Sequence, residues 1–144
     1  MIRPFKESDR DRVLSLCEEF WTASCADEYG EYEEGHTSNK LSEILSSGAC
    51  FVTNDVSGFI LLVESTNLCN PGKVAAEVAW YVTPNARGGD GIALLKTAIR
   101  YCELKEISSL SMMYMQSSMP DSIVKIYDKM GLIKRETTYI KRLG

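Results

Sequence analysis

The sequence predicts one α/β domain in which helices cover both faces of a mixed β-sheet. Helical and extended patterns alternate through the second half of the 144-residue chain. In addition, the run Phe59–Val63 is apolar at every position, which is typical of a central strand that is covered on both faces. Neither a linker nor an internal repeat divides the chain, so residues 1–144 are interpreted as a single domain.

The helices are predicted from apolar residues that recur at i, i+3 and i+4. In the helix after the glycine-rich segment, for example, Leu95, Ala98 and Cys102 share one face. The acidic, glycine-containing stretch Ala26–Gly35 between the first two helices is expected to be a loop. Four helices are expected, and they begin at Ser8 or Asp9, at Thr37 or Ser38, at Gly91 and at Pro120.

The strands are predicted from extended apolar runs that end at turn residues. Together with the helices they give the order βααβββαβαβ(β). The expected strands are Ile2–Phe5, Ala49–Thr53, Gly58–Glu64, Val74–Thr83, Ser109–Gln116 and one or two strands within Leu132–Arg142.

Composition and charge exclude several classes of function. Apolar residues make up 44% and charged residues 25% of the chain, as in ordinary soluble domains. The net charge is −4 and no basic stripe is present, so a nucleic-acid partner is not expected. No apolar run approaches the roughly 20 residues that span a bilayer, and the N-terminus is too polar for a signal peptide. We therefore expect a cytoplasmic protein that does not bind a membrane.

The five cysteines are scattered along the chain without a CxxC pair. In a protein without an export signal, this pattern favours reduced, mostly buried thiols over disulfides. No His, Cys and Asp residues recur at metal-ligand spacing either, so no metal is expected.

The segment with the strongest chemical signal is the glycine-rich turn that precedes the third helix. Gly88, Gly89 and Gly91 let backbone N–H groups approach a ligand, and the helix N-terminus favours an anion such as a pyrophosphate. Arg87 could add a charge-assisted contact. The segment is neither a P-loop, because no Gly-Lys-Ser/Thr occurs, nor a dinucleotide fingerprint, because Leu94 stands where the third glycine is required.

Three segments, taken in order, resemble the GCN5-related N-acetyltransferases. Ala76–Pro84 (AEVAWYVTP) looks like the fourth strand of that family, Arg87–Leu95 (RGGDGIALL) like its pyrophosphate loop, and Ile126–Leu132 (IYDKMGL) like its fourth helix and the following turn. Two departures are present. Gly88, not Arg87, stands first when the loop is aligned on Gly91 and Ala93, and the family's Asn at the start of the fourth helix is replaced around Pro120-Asp121.

This resemblance implies the acyl-CoA N-acyltransferase fold, with a mostly antiparallel sheet, and acetyl-CoA as co-substrate. The pantetheine arm is expected in a splay between Val74–Thr83 and Ser109–Gln116, where the Val82 N–H could steady the thioester oxygen. The residues implied to contact acetyl-CoA are Tyr81, Val82, Thr83, Arg87, Gly88, Gly89, Asp90, Gly91, Ile92 and Ala93.

Two residues are predicted to be catalytic. Glu77 is the only carboxylate in an apolar strand, so its pKa should be raised, which suits it to accept a proton from an amine. Its position also matches the general base of several family members. Tyr127 falls on the tyrosine that in the family protonates the departing CoA sulfur. The alternative interpretations are a solvent-facing or Lys-paired glutamate and a half-buried core tyrosine.

The acceptor is predicted only by chemical class. The acidic stretch Ala26–Gly35 holds five acidic residues and no basic one, which favours a cationic amine. Glu31, His36 and Tyr139 are the candidate substrate residues, and a homodimer is plausible by analogy with the family. Two other functions stay open: a CoA-binding or protein-interaction module that has lost turnover, and an interaction protein whose acidic stretch binds a basic partner.

Overall fold

The computed structural model describes residues 1–116 and 118–144 and contains one five-stranded mixed sheet. The strands lie in the spatial order β1-β2-β3-β4-β5. Neighbours pair antiparallel except β4 and β5, which are parallel. The predicted mixed, mostly antiparallel sheet is therefore confirmed. The strands are β1 (Ile2–Pro4), β2 (Gly48–Thr53), β3 (Gly58–Thr66), β4 (Lys73–Val82) and β5 (Ser109–Ser111).

Helices cover both faces of the sheet, as predicted. They are α1 (Arg10–Ser24), α2 (Ala26–Tyr29), α3 (Glu34–Leu45), α4 (Asp90–Leu104) and α5 (Ser122–Lys129). On one face, α1 and α3 pack their apolar residues against Phe59 and Leu61. On the other face, α4 packs against Ile60 and Leu62, and α5 contributes partly buried residues. Because β3 contributes buried residues to the cores on both faces, the continuous apolar run Phe59–Val63 does form the central strand.

A β-bulge in β4 determines which face Glu77 occupies. Leu61 lies opposite Ala79 whereas Leu62 lies opposite Glu77, so Val78 is an extra residue in β4. Cross-strand partners share a face, and Leu62 belongs to the core beneath α4. Glu77 therefore lies on the α4 and α5 face, whereas Ala79 faces α1.

Two predicted strands near the C-terminus differ in the structure. The strand expected over Ser109–Gln116 ends at Ser111, because side chains bind the backbone of Met113, as described below. The strands expected within Leu132–Arg142 are absent, and these residues have no regular structure. A strand needs a partner backbone, and a β5 of three residues offers little edge for pairing.

The acidic stretch also differs from the prediction, since it is partly helical. Residues Ala26–Tyr29 form α2, and α3 begins at Glu34 instead of at Thr37 or Ser38. The earlier start is explained by Thr37, whose N–H and hydroxyl both donate to the Glu33 carbonyl. The helix thereby gains a turn before the expected cap.

The cysteines are free thiols, and Cys25, Cys50 and Cys102 are buried, as predicted, whereas Cys69 is exposed. Burial raises the pKa of Cys17 to about 11 and that of Cys50 to about 12, so both stay protonated at neutral pH. Within residues 1–116 and 118–144, no group of three or more His, Cys, Asp and Glu side chains is arranged to hold a metal. Over the same residues, no helix is long and apolar enough to cross a membrane.

Candidate functional site

The candidate site lies where β4 and β5 stop pairing. Their parallel ladder joins Val74–Ala76 to Ser109–Ser111 and ends there. Beyond it, in the part of the chain that the structure describes, β4 continues to Val82 without a strand partner on this side, and Met112–Met115 after β5 pair with no strand. We call the region between these two segments the strand gap.

Glu77 stands at the closed end of the strand gap. Its side chain is buried, with only 5% of the residue exposed. The carboxylate Oε1 accepts a hydrogen bond of 3.1 Å from the Met113 N–H. The other oxygen, Oε2, is buried and has no hydrogen-bond partner among the residues that the structure describes. Burial raises the pKa of Glu77 to about 7, although the bond from Met113 opposes the shift.

Tyr127 reaches the same point from α5. Its hydroxyl donates a hydrogen bond of 2.6 Å to the Met113 carbonyl oxygen. Burial first, and then the charge of Glu77, raise the pKa of Tyr127 well above its ordinary value. The two predicted catalytic residues are thus brought together, each bound to the backbone of Met113.

The far end of β4 offers backbone groups to the strand gap. The Thr83 N–H donates to the Ser57 carbonyl on the β3 side, so it is already occupied. Backbone groups of successive extended residues point to opposite sides, which directs those of Val82 away from β3. The Val82 carbonyl accepts from Arg87 Nε at 2.9 Å, and its N–H remains on the side of the gap.

The glycine-rich loop leads into α4 as predicted. The first bond of this helix runs from the Ala93 N–H to the Gly89 carbonyl. The N–H groups of Asp90, Gly91 and Ile92 consequently have no acceptor within the described part of the chain, and no side chain caps the helix. Gly88 and Gly89 are exposed, so these donors are open to an anionic ligand.

Arg87 is held beside the loop and not over the start of the helix. In addition to its Nε bond to Val82, its guanidinium carbon lies 5.5 Å from the centre of the Tyr81 ring. The Tyr81 hydroxyl in turn donates to Glu19 Oε1 at 3.1 Å. Arg87 thus lies between the α1 face and the loop, in a place that depends on Tyr81.

An open groove of about 580 Å³ adjoins Tyr81 on the α1 face. Two carboxylates, those of Glu18 and Glu19, lie in its wall, and Glu19 also lies 3.9 Å from Arg12. The groove is open and mostly apolar, with these two carboxylates in its wall. Its lining residues are Ser15, Glu18, Glu19, Thr22, Ala23, Tyr81 and Pro84.

The candidate substrate residues are not gathered at this site. Glu31 and His36 are exposed, with His36 in the first turn of α3, and Tyr139 is 93% exposed. Among the residues described, no hydrogen bond or ion pair joins any of the three to Glu77 or Tyr127. The C-terminal segment does approach the acidic stretch, because Arg142 Nη1 donates to the Asp27 carbonyl at 2.9 Å.

Two residues of the site were not predicted from the sequence. Met113 acts through its backbone, for which a sequence carries no signal. Trp80 is buried on β4, donates from Nε1 to the Gly91 carbonyl at 3.1 Å and packs against Tyr127. It looks like a core residue in the sequence, and only its place between the loop and Tyr127 distinguishes it.

Comparison of the fold with solved structures identifies its class. No sequence-family model matches the chain, and no curated protein matches it. In contrast, a GNAT family acetyltransferase from Staphylococcus aureus superposes with a TM-score of 0.68 at 13% identity, with 99% of this chain and 98% of that chain covered. This chain has the GCN5-related N-acetyltransferase fold.

Other proteins with the same fold superpose over almost their whole length. The ribosomal-protein-alanine N-acetyltransferase from Brucella melitensis biovar Abortus gives a TM-score of 0.75 at 16% identity, with 99% of each chain covered. AAC(6')-Iy, solved with the bisubstrate analogue CoA-S-monomethyl-acetylneamine, gives 0.70 at 19% identity, with 99% of this chain and 98% of that chain covered.

Proposed function

We propose that the protein is an N-acetyltransferase that transfers the acetyl group of acetyl-CoA to a primary amine of a small molecule or a protein. The amine attacks the thioester directly while both substrates are bound. The observation that carries this proposal is the meeting of Glu77 and Tyr127 at Met113, where the strand gap begins. Glu77, a proton acceptor, and Tyr127, a hydrogen-bond donor, thereby lie next to the strand gap.

Acetyl-CoA fits the chemistry of the loop and of the strand gap. The free N–H groups of Asp90, Gly91 and Ile92 and the positive end of the helix dipole suit the pyrophosphate. The pantetheine arm carries amides that can pair with the backbone of Val82 in the strand gap. The AAC(6')-Iy complex, which contains a CoA-based analogue, supports the same class of ligand on this fold.

Glu77 is proposed to take the proton that the amine loses. An alkylammonium has an ordinary pKa of about 10.4, so it must be deprotonated before it can attack. A carboxylate whose pKa is about 7 is a stronger base toward it than one at the ordinary value of 4.5. At pH 8 most Glu77 side chains would be ionised and able to accept that proton, directly or through water.

Tyr127 is proposed to act on the leaving group. Because its pKa is raised, the hydroxyl keeps its proton at neutral pH and is always a hydrogen-bond donor. When the C–S bond breaks, the nitrogen loses its second proton and the CoA thiolate takes it up. An ordinary thiol has a pKa of about 8.5, so the Tyr127 hydroxyl stabilises the departing thiolate by hydrogen-bond donation until that proton arrives. In the structure this donor is bonded to the Met113 carbonyl, so the hydroxyl would have to turn from it toward the sulfur.

The acceptor is proposed to be a cationic amine that enters through the groove beside Tyr81. This groove lies on the α1 face and Glu77 on the other face, so the amine would reach Glu77 through the strand gap. The carboxylates of Glu18 and Glu19 line this groove, and they would attract an ammonium group. The bisubstrate analogue in AAC(6')-Iy contains acetylneamine, which supports a polyamine-like acceptor on this fold.

The test begins with binding and then measures turnover. Thermal unfolding is followed with acetyl-CoA, and with dephospho-CoA and NAD as controls, because a ligand of the folded state raises the melting temperature. We expect acetyl-CoA to give a rise that NAD does not. Release of free thiol from acetyl-CoA is then measured with a panel of mono-, di- and polyamines, and with Glu77→Gln as the matched variant.

The same experiment decides between this proposal and the two others. The position of Arg87, held by Val82 and Tyr81 beside the loop, favours a CoA-binding module without turnover as the second candidate. Binding of acetyl-CoA without thiol release from any amine would support that candidate. The absence of any shift at millimolar acetyl-CoA would contradict both and leave an interaction protein.

A further inference from the structure

Trp80 connects the loop to Tyr127. Its indole Nε1 donates to the carbonyl of Gly91, the second residue of α4, at 3.1 Å. The Gly91 Cα faces the indole, since a Cβ placed on Gly91 would make an ordinary contact with Cζ2 of Trp80 at 3.7 Å. The indole also packs against the Tyr127 ring, with centroids 6.1 Å apart and planes tilted by 33°. One side chain therefore contacts both the loop and Tyr127.

The contacts continue from Tyr127 to the base of the strand gap. The Tyr127 hydroxyl donates to the Met113 carbonyl, and the Met113 N–H donates to Glu77. An unbroken series of contacts therefore runs from Gly91 to Glu77. Gly91 belongs to the proposed pyrophosphate site, and Trp80 is the side chain in this series that bonds to it.

The orientation of the Gly91 carbonyl explains how Trp80 could affect binding. Trp80 donates to this carbonyl from β4, which ties the first turn of α4, and so the N–H groups that face the anion, to the sheet. Within α4 this carbonyl also accepts the N–H of Leu95, four residues on, so loss of the indole N–H removes its second hydrogen bond and with it the direct tie from this turn to β4.

We propose that Trp80 is a positioning residue that ties the first turn of α4 to Tyr127, so that binding of the coenzyme at the loop also holds Tyr127 in place. This inference rests on the proposed function, because it takes the loop as the coenzyme site. In this role Trp80 touches neither reacting atom and acts through Gly91 and Tyr127.

The chain contains a matched control, since its second tryptophan makes the same two kinds of contact elsewhere. Trp21 Nε1 donates to the Gly30 carbonyl at 2.7 Å, and its ring lies 5.9 Å from that of Tyr29. Trp80→Phe and Trp21→Phe therefore remove the same kind of hydrogen bond and the same aromatic bulk, one at Gly91 in the loop and one at Gly30 after α2.

The first measurement is the affinity for CoA, which binds without reacting, by isothermal titration calorimetry. Trp80→Phe is expected to weaken binding about fivefold, the effect of one ordinary hydrogen bond, and Trp21→Phe to leave it within about twofold. Equal affinity in the two folded variants would overturn the proposal. A purely structural Trp80 would lower the melting temperature without changing the affinity.

The second measurement leaves Trp80 in place, so it decides the question even if Trp80→Phe fails to fold. In Trp21→Phe protein, Trp80 is the sole tryptophan. Its emission should change on titration with CoA, with the midpoint that calorimetry gives. Unchanged emission at saturating CoA would contradict the proposal.

The link to Tyr127 is tested by kcat in a double-variant cycle. If Trp80 positions Tyr127, the loss of kcat caused by Trp80→Phe should be smaller when Tyr127 is already Phe. Losses that multiply would show that the two residues act independently and would overturn this half of the inference. Failure of the proposed function is distinguishable, because the wild-type protein itself would then either not bind CoA or bind acetyl-CoA without releasing thiol to any amine.

Discussion

Replacement of Glu77 by Gln should change the pH dependence of stability in a defined direction. The folded protein raises the pKa of Glu77 from its ordinary value of 4.5 to about 7. The folded state therefore binds this proton more tightly than the unfolded state does. As the pH rises from 4.5 to 7, the free energy of unfolding falls, and above pH 7 the loss is complete.

The magnitude follows from the size of the shift. One unit of pKa corresponds to about 1.4 kcal/mol, so an ionised Glu77 lowers the free energy of unfolding by about 3 kcal/mol at pH 8 relative to pH 4. Solvent screening reduces this figure little, because only 5% of the residue is exposed. In a domain of this size, the difference corresponds to roughly 6 to 12 °C in melting temperature.

Gln keeps the oxygen that accepts from Met113 but cannot ionise. Its amide oxygen can still accept from the Met113 N–H, while its amide nitrogen takes the place of the unpaired Oε2. An unpaired buried donor costs about 1–3 kcal/mol, but this cost is the same at every pH. The stability of the variant relative to wild type should therefore rise by about 3 kcal/mol between pH 4 and pH 8.

The assay is urea unfolding of both proteins at unit intervals between pH 4 and pH 8. Glu43→Gln serves as the control, since the side chain of Glu43 is 69% exposed and pairs with Lys40 at the surface. Plotted against pH, the free energy of unfolding of Glu43→Gln should run parallel to that of the wild type. If the curve of Glu77→Gln is parallel as well, Glu77 has no raised pKa and loses its suitability as the base.

Three further substitutions separate binding from catalysis. Tyr127→Phe should lower kcat roughly 100-fold while the Kd for acetyl-CoA changes less than about threefold; equal activity in steady-state kinetics would remove the hydroxyl from the mechanism. Gly88→Ala should fold normally, because a Cβ there meets nothing within 4 Å, yet weaken acetyl-CoA binding about tenfold by calorimetry. Arg87→Ala should weaken acetyl-CoA binding about tenfold, and less so at high salt; a lower melting temperature with unchanged affinity would instead indicate that Arg87 only supports Tyr81.

The elements that the sequence predicted correctly are those whose signal is local. The buried run Phe59–Val63 identifies a central strand, because no other position tolerates apolar residues on both faces. The helical period and the glycines before α4 likewise depend only on neighbouring residues. In contrast, the end of β5 depends on Glu77, which lies more than 30 positions away and takes the N–H of Met113. Such a contact leaves no trace in the residues near Ser111.

The same distinction holds within the candidate site. Glu77 could be identified from the sequence because a lone carboxylate in an apolar strand breaks the local pattern. Tyr127 could be identified only through the resemblance to a family, since its helical face is that of an ordinary core residue. Trp80 agrees with every local rule of a buried strand, so only its contacts with Gly91 and Tyr127 reveal another role.

The stability cost of Glu77 is itself an argument for proton chemistry at this position. A cost of about 3 kcal/mol is large for a domain whose total stability is about 5–15 kcal/mol. A role confined to holding Met113 would be served by Gln, which offers the same acceptor without the charge. A carboxylate differs from that amide in one property that the site can use, its ability to gain and lose a proton near neutral pH. Destabilising groups of this kind are characteristic of functional sites, so we expect Glu77→Gln to raise stability at pH 8 and to abolish turnover in the same protein.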